Sequence, residues 1–238
     1  MKFSIDYNYH IAHIIKTLDP YMDAEIIFTS DIIESRLKEF DVIIFPGGSG
    51  DGQAKSLGEE GRDKVKTFIK TGGGFIGLCA GAYMAQNSNT YKELALRITS
   101  AYLYNGTENW NRGGAVAKVK MHKDGYLFFP EYIGTEHIYF YYYQGPLLAP
   151  EDGKKMLYFE LMSYVSDIYP KKKDAKGESP GQTFLLLEAH GKGTVVLMAG
   201  HPEMTPGKYW MLPRMVRIAA NKDIITYPKR FITSKYNR

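Results

Sequence analysis

Residues 72–83 read GGGFIGLCAGAY, in which an apolar run passes directly into small residues around a cysteine. Gly74 to Leu78 is predicted to form a strand, and a helix is predicted to begin at Cys79. Strands that alternate with helices are typical of α/β proteins, because a parallel strand needs a helix-sized return path. The stretch therefore predicts an α/β fold with a strand-to-helix turn at Cys79.

The segments before this stretch show the same alternation. The predicted elements are strand KFSID (2–6), a helix over 10–18, strand AEIIF (24–28), a helix over 31–39, strand DVIIF (41–45) and a polar helix over 57–71. Connections of this kind are right-handed and bring successive strands into one parallel sheet. The βαβαβ order therefore predicts a mostly parallel, flavodoxin-like sheet.

From residue 94 to residue 160 the periodicity changes to two residues, which predicts antiparallel strands. We interpret this part as a β-rich insertion within a single domain spanning 1–238. The predicted strands are AVAKVKM (115–121), YLFFP (126–130) and HIYFYYY (137–143). They are followed by a solvated lysine-rich loop (169–182), strands TFLLLEA (183–189) and TVVLMAG (194–200) joined by the turn HGKG, and a helix from Pro206 to about Ala220.

The composition limits the classes of function. The 238 residues are 44% hydrophobic, and the formal net charge is only +4. Such a small and scattered charge does not indicate a nucleic-acid partner. A single cysteine excludes an internal disulfide framework and fits a cytoplasmic protein. The amino terminus lacks the apolar run of a signal peptide, and no stretch reaches about 18 apolar residues, so no membrane association is expected.

Cys79 lies between Gly77 and Gly81 at the predicted strand-to-helix turn. Small flanking residues permit the strained backbone of a nucleophile elbow, which projects its side chain above the carboxyl edge of the sheet. The positive end of the following helix favours a thiolate, so we expect Cys79 to ionise near neutral pH. A lone cysteine is more often a small buried hydrophobe. The elbow context favours a nucleophile instead.

His201 and Glu203 are the candidates for the rest of a catalytic group. His201 directly follows the apolar strand TVVLMAG, and strand ends are where open α/β sheets assemble their sites. In an extended segment stiffened by Pro202, Glu203 would lie on the same side as His201 and accept a hydrogen bond from it. The alternative interpretation of His-Pro-Glu is an ordinary surface loop.

Backbone amides that could stabilise an oxyanion are predicted at Ala80 and Gly48, the latter in the glycine-rich turn after DVIIF. Such a turn can also hold a phosphate, but this one lacks the lysine and Ser/Thr pair of a P-loop. His10 and His13 could share a helix face, yet no third ligand lies nearby, and a solvated face is favoured. No metal and no cofactor is expected.

Three motifs in order carry a family resemblance: DVIIFPGG (41–48), GGGFIGLCAGAY (72–83) and AGHPE (199–203). With them the chain resembles the class I glutamine amidotransferase-like superfamily. Within it, GLCAGAYMA, with PGGSGDG before it and YYQGP after it, is most similar to the amidotransferase-like domain found at the amino end of biotin-protein ligases. The resemblance covers most of the chain.

The resemblance implies a three-layer αβα sandwich and assigns roles to particular residues. It implies a triad of Cys79, His201 and Glu203, with Gly48 and Ala80 at the oxyanion positions. The remaining candidate substrate-binding residues, which lie in or beside the matching motifs, are Gly47, Tyr83 and Gln144.

One departure concerns the substrate. Glutaminase members carry G-x-C-x-G-x-Q, whereas Tyr83 stands at the glutamine position here. The sequence thus predicts a stand-alone amide hydrolase or amidotransferase that acts on a small-molecule amide through a thioester, with a partner protein as ammonia acceptor or ligase. The alternative is a non-catalytic ligand-binding or regulatory domain, in which Tyr83 and the tyrosine-rich segment 139–143 shape a pocket.

Overall fold

In a computed structural model of the chain, the described residues are 3–87, 94–104, 113–168 and 177–228. Most of the predicted loop at 169–182 lies outside these ranges. Helices α1 to α5 are Phe3–Leu18, Thr29–Ile33, Gly50–Lys70, Ala80–Ala85 and Met211–Ala219. Strands β1 to β9 are Val42–Phe45, Gly74–Leu78, Tyr102–Leu103, Gly114–Met121, Ile138–Tyr143, Leu148–Ala149, Phe159–Tyr164, Thr183–His190 and Gly193–Met198. None of the helices in the described ranges is long and apolar enough to span a membrane.

All nine strands belong to one sheet, whose main path runs β1-β2-β9-β8-β7-β4-β5. The α/β class is confirmed, but the mostly parallel sheet is not. Only β1–β2 and β2–β9 pair in parallel, and the other six pairings of the described strands are antiparallel. The reason is visible between β8 and β9, where a two-residue turn with Gly191 at φ 64° reverses the chain without a helix.

The predicted βαβαβ start is wrong. Residues 3–6 of KFSID belong to α1, whose buried Ile11, Ile14 and Ile15 follow a helical spacing. AEIIF forms no strand. The Phe28 amide donates to the Asp31 carboxylate at the start of α2 instead of to a neighbouring strand, and the Phe28 side chain is 64% exposed. Only DVIIF of the three predicted strands is found, as β1.

The predicted strand YLFFP is also absent, because its residues lie in and between two 3-10 turns, Lys123–Leu127 and Pro130–Tyr132. By contrast, β2, the antiparallel strands β4 and β5, and the hairpin β8–β9 lie where the sequence predicts them. Helix α3 begins earlier than predicted, since the Ser49 hydroxyl caps it by accepting from the Gly52 amide.

The sheet is covered on both faces at β2 and curls at its far end. Ile76 and Phe75, neighbours on β2, belong to two different buried clusters, one that includes α1 and α5 and one that includes α3. At the edge strand β5, the Tyr141 carbonyl accepts from the His201 amide at 3.0 Å, while the Tyr141 amide donates to the Thr205 hydroxyl at 2.9 Å. The curl therefore brings the last antiparallel strand against the segment that follows β9.

Candidate active site

Cys79 occupies a strained elbow between β2 and α4. Its φ and ψ are 49° and −98°, a conformation that non-glycine residues rarely adopt. The flanking glycines are needed for close approach, because a Cβ on Gly77 would lie 2.7 Å from the carbonyl carbon of Gly81, and one on Gly81 would collide with the Phe45 carbonyl oxygen. The predicted elbow can form because the residues on both sides of Cys79 are small enough for this close backbone packing.

The Cys79 thiol is buried and protonated at neutral pH. The side chain is 5% exposed, and Sγ donates to the Tyr143 carbonyl at 3.3 Å. Burial raises the pKa of Cys79 to about 12, although hydrogen bonds from the backbone of Ala80 and Gly48 oppose the rise. The expectation of a thiolate near neutral pH is wrong, because desolvation outweighs the short helix α4. Gly48 and Ala80, the predicted oxyanion donors, do converge on the sulfur.

His201 and Glu203 form a buried pair, with Nδ1 and Oε1 2.7 Å apart. The pairing arises from a 3-10 turn over Pro202–Met204 rather than from the extended segment predicted. Burial lowers the pKa of His201 to about 4 and raises the pKa of Glu203 to about 8. The His201 ring also hydrogen-bonds the backbone of Tyr143. The imidazole is therefore neutral at pH 7 and can accept a proton.

A pocket of about 280 Å³ opens at this point of the molecule. Six of the predicted site residues line it together: Gly48, Cys79, Ala80, Tyr83, Gln144 and His201. Glu203 lies behind His201, and neither it nor Gly47 lines the pocket in the described part of the chain. The structure thus gathers residues that are as far apart in sequence as Gly48 and His201.

The segment after β5 forms one wall of the pocket. We call Tyr143, Gln144 and Gly145 the 143–145 turn. Gln144 has φ 56°, in the left-handed region, and its side chain is exposed. The Gly145 carbonyl accepts from the Tyr83 hydroxyl at 3.2 Å and from the Tyr142 hydroxyl at 2.8 Å. The sequence placed Tyr143 within the segment 139–143 that shapes the pocket in the non-catalytic alternative, but it did not predict the contact between the Tyr143 carbonyl and Cys79, because every residue has a backbone carbonyl.

A second polar cluster on β7 also escaped sequence reasoning. His122 Nε2 lies 2.8 Å from the Ser163 hydroxyl and 3.0 Å from a Glu160 carboxylate oxygen. Both partners contact the same ring nitrogen, so the imidazole does not relay a proton from the serine to the carboxylate as it does in a triad. His122 directly follows β4, so the cluster connects the end of β4 to β7. It does not have the arrangement of a serine catalytic triad.

His10, one of the two histidines considered for a metal, contacts the catalytic candidates instead. His10 Nε2 lies 3.0 Å from the Glu203 carbonyl oxygen, so its ring connects α1 to the turn that carries the catalytic candidates. Within the described ranges, no three His, Cys, Asp or Glu side chains lie close enough together to hold a metal ion.

Comparison with known proteins places this site in a family context. A family model described as biotin-protein ligase, N terminal, matches residues 10–223. No curated protein sequence matches the chain.

Solved structures with a similar fold share little sequence. A cytoplasmic protein of Salmonella typhimurium has a TM-score of 0.56 at 8% identity, over 88% of this chain and 85% of that chain. A ThuA-like protein of Bacteroides uniformis has the same TM-score at 17% identity, over 92% and 88%. A glutamine amidotransferase of Thermotoga maritima has a TM-score of 0.43 at 17% identity, over 74% and 62%. At such identities the likeness to the first two structures concerns the fold alone.

Proposed function

The chain belongs to the biotin-protein ligase N-terminal family, and from this premise we propose that it is a cysteine-dependent amide hydrolase or amidotransferase. The observation that carries the proposal is the shared pocket of Cys79 and His201, with Glu203 held 2.7 Å from the far nitrogen of the imidazole. A nucleophile, a base and a carboxyl group that orients the base are the set that triad enzymes use for acyl transfer through a covalent intermediate.

In the proposed reaction, Cys79 Sγ attacks the carbonyl carbon of a carboxamide. Because the thiol keeps its proton at neutral pH, His201 removes that proton as the carbon–sulfur bond forms rather than beforehand. The amides of Gly48 and Ala80 stabilise the oxyanion. His201 then gives the proton to the departing nitrogen, and the carbon–nitrogen bond breaks to leave a thioester.

Water completes the cycle. It attacks the thioester carbon while His201 takes one of its protons, and the carbon–sulfur bond then breaks to release the acid and the Cys79 thiol. Glu203 acts as a positioning residue, because it contacts Nδ1 of His201 and does not line the pocket in the described part of the chain. In the amidotransferase form of the proposal, a partner protein such as a ligase receives the released ammonia.

Trapping the thioester tests the proposal. The protein is incubated with a γ-glutamyl electrophile, and its intact mass is measured with Cys79→Ala as the control. We expect one adduct on the wild-type chain and none on the variant. An adduct that survives Cys79→Ala would overturn the assignment of the nucleophile. A panel of carboxamides that includes glutamine, γ-glutamyl peptides and biotin amides, with ammonia release as the readout, then identifies the substrate class.

A non-catalytic ligand-binding or regulatory domain is the second candidate function. The observation that favours it is the Cys79 thiol itself, which is protonated and donates to the Tyr143 carbonyl. Under this alternative, the same carboxamides would raise the melting temperature without any release of ammonia. Turnover that disappears in Cys79→Ser would exclude it.

A further inference from the structure

The Tyr143 carbonyl lies between the two reactive groups of the site. It accepts from the Cys79 thiol at 3.3 Å, and the His201 ring hydrogen-bonds the same backbone. A thiol that attacks through general-base catalysis must give its proton to the imidazole, within hydrogen-bond reach. In this structure the Cys79 thiol donates its hydrogen bond to the Tyr143 carbonyl and not to the imidazole or a substrate.

The 143–145 turn that supplies this carbonyl is fastened at its other end. Two tyrosine hydroxyls, from Tyr83 on α4 and Tyr142 on β5, donate to the Gly145 carbonyl. Gly145 itself packs closely on Ala199, the residue after β9, so a Cβ on Gly145 would collide with the Ala199 carbonyl oxygen. The Tyr83 hydroxyl reaches the turn from α4, the helix that follows Cys79. The nucleophile and this anchor thus share a rigid element.

The left-handed backbone of Gln144 is strained, and this strain favours movement of the turn. A non-glycine residue at φ 56° is unfavourable by about 1 kcal/mol or more, and it persists only while its surroundings hold it. Gln144 is exposed and lines the pocket, so its own side chain is not packed against a neighbouring layer. The turn is held in place by the hydrogen bonds to the Gly145 carbonyl, the hydrogen bond from Cys79 and the close packing of Gly145 on Ala199.

We propose that Tyr83 is a positioning residue that holds the 143–145 turn closed over Cys79, so that the turn must move before the thiol can react. When the Tyr83 hydroxyl releases the Gly145 carbonyl, the turn relaxes, the Tyr143 carbonyl withdraws, and the thiol becomes accessible to His201 and to a substrate. The inference takes from the proposed function only that Cys79 is the reactive group, and it does not require that an amide is cleaved.

Alkylation of Cys79 tests this directly, because the chain has one cysteine and the adducts that are absent from a Cys79→Ala chain report on that residue. The rate of labelling by iodoacetamide is measured by intact mass from pH 6 upward for the wild-type chain and Tyr83→Phe. Loss of one hydrogen bond that holds the turn should raise the rate roughly five-fold. It should also move the pH profile toward lower pH, since a thiol freed from burial ionises more easily.

Tyr102→Phe is the matched control. Its hydroxyl is also half-buried and accepts from the Asn87 amide at 3.3 Å, away from the turn. This variant should label at the wild-type rate with an unchanged pH profile. Equal labelling of Tyr83→Phe and wild type would overturn the inference, and so would an equal increase in both variants, which would indicate general loosening.

A second variant covers the case in which Tyr83→Phe does not fold. Gly145→Ala displaces the turn through the Ala199 contact while all tyrosines remain, and it should label at least as fast as Tyr83→Phe. A folded Gly145→Ala that labels at the wild-type rate would overturn the inference. Because alkylation needs no amide substrate, failure of the carboxamide panel would leave this result intact.

Discussion

The parallel and antiparallel parts of the sheet contribute to the site in different ways. The parallel strands β1, β2 and β9 end in the Gly48 turn, Cys79 and the His201 segment, which supply reactive side chains and amides. The antiparallel strand β5 ends in a turn whose carbonyl accepts from the Cys79 thiol. In the proposed mechanism, the parallel part therefore carries the chemistry and the antiparallel part controls access to it.

The largest expected effect concerns the base from the parallel part. We expect His201→Ala to lower amide turnover by about 10³-fold, because general acid–base catalysis by one side chain is worth that much. His122→Ala is the matched change in the antiparallel part, where the histidine contacts Ser163 and Glu160 and touches no pocket residue in the described contacts. It should retain turnover within about two-fold. Equal losses in the two variants would remove the distinction between the two parts.

The elbow should be the less tolerant of the two parts toward added volume. A Cβ on Gly81 would collide with the Phe45 carbonyl, so we expect Gly81→Ala to lower the free energy of unfolding by about 3 kcal/mol. Gly114→Ala on β4 adds the same methyl 3.3 Å from the Tyr143 ring, which can shift, and should cost less than about 0.5 kcal/mol. Urea unfolding measures both, and a Gly81→Ala chain as stable as Gly114→Ala would contradict the tight packing of the elbow.

Thr205 joins the two parts. Its hydroxyl donates to the His201 carbonyl at 2.6 Å and accepts from the Tyr141 amide of β5 at 2.9 Å. We expect Thr205→Val to cost about 2 kcal/mol, because it leaves a buried amide and carbonyl without this partner. Thr205→Ser keeps the hydroxyl and should recover most of the loss in the same urea measurement. If serine destabilised as much as valine, the methyl group rather than the hydroxyl would hold the parts together.

The features that could be predicted from the sequence are those that depend on short, local patterns of side chains. The strand Gly74–Leu78, the glycines around Cys79, the strands β4 and β5 and the hairpin β8–β9 follow from short patterns. It failed for residues 24–28, where the Asp31 carboxylate takes the Phe28 amide and apolar residues alone predict a strand.

The protonation state of the Cys79 thiol could not be predicted from the sequence for another reason. Its pKa depends on burial beneath the 143–145 turn, which follows β5, more than sixty residues along the chain. A helix amino terminus after a cysteine predicts a thiolate only when water also reaches the sulfur. The Tyr143 carbonyl carries no sequence signal, so neither the covering turn nor the anchor Tyr83 could be predicted as such.

The smallest effect concerns the pH dependence of stability. Burial raises the pKa of Glu203 from 4.5 to about 8, so its contribution to the free energy of unfolding is complete below pH 4.5 and is lost as the pH rises through 8. The lowered pKa of His201 changes the free energy of unfolding between pH 4 and 6.5, and the raised pKa of Cys79 changes it between pH 9 and 12. Between pH 6.5 and 8, Glu203 is therefore the member of this site that titrates differently on unfolding.

Glu203→Gln isolates that contribution, because the amide oxygen can still accept from Nδ1 of His201 and the side chain no longer ionises. From pH 6.5 to 8 we expect the wild-type chain to lose on the order of 1 kcal/mol relative to Glu203→Gln in urea unfolding. Lys208, whose lowered pKa of about 8 affects the same range, is present in both chains and cancels in the difference. Parallel pH profiles for the two chains would contradict the raised pKa, because they would mean that Glu203 is already ionised at pH 6.5 in the folded state. Glu203 would then orient a neutral His201 as a carboxylate that accepts from Nδ1–H, which still leaves the other ring nitrogen free to accept the Cys79 proton.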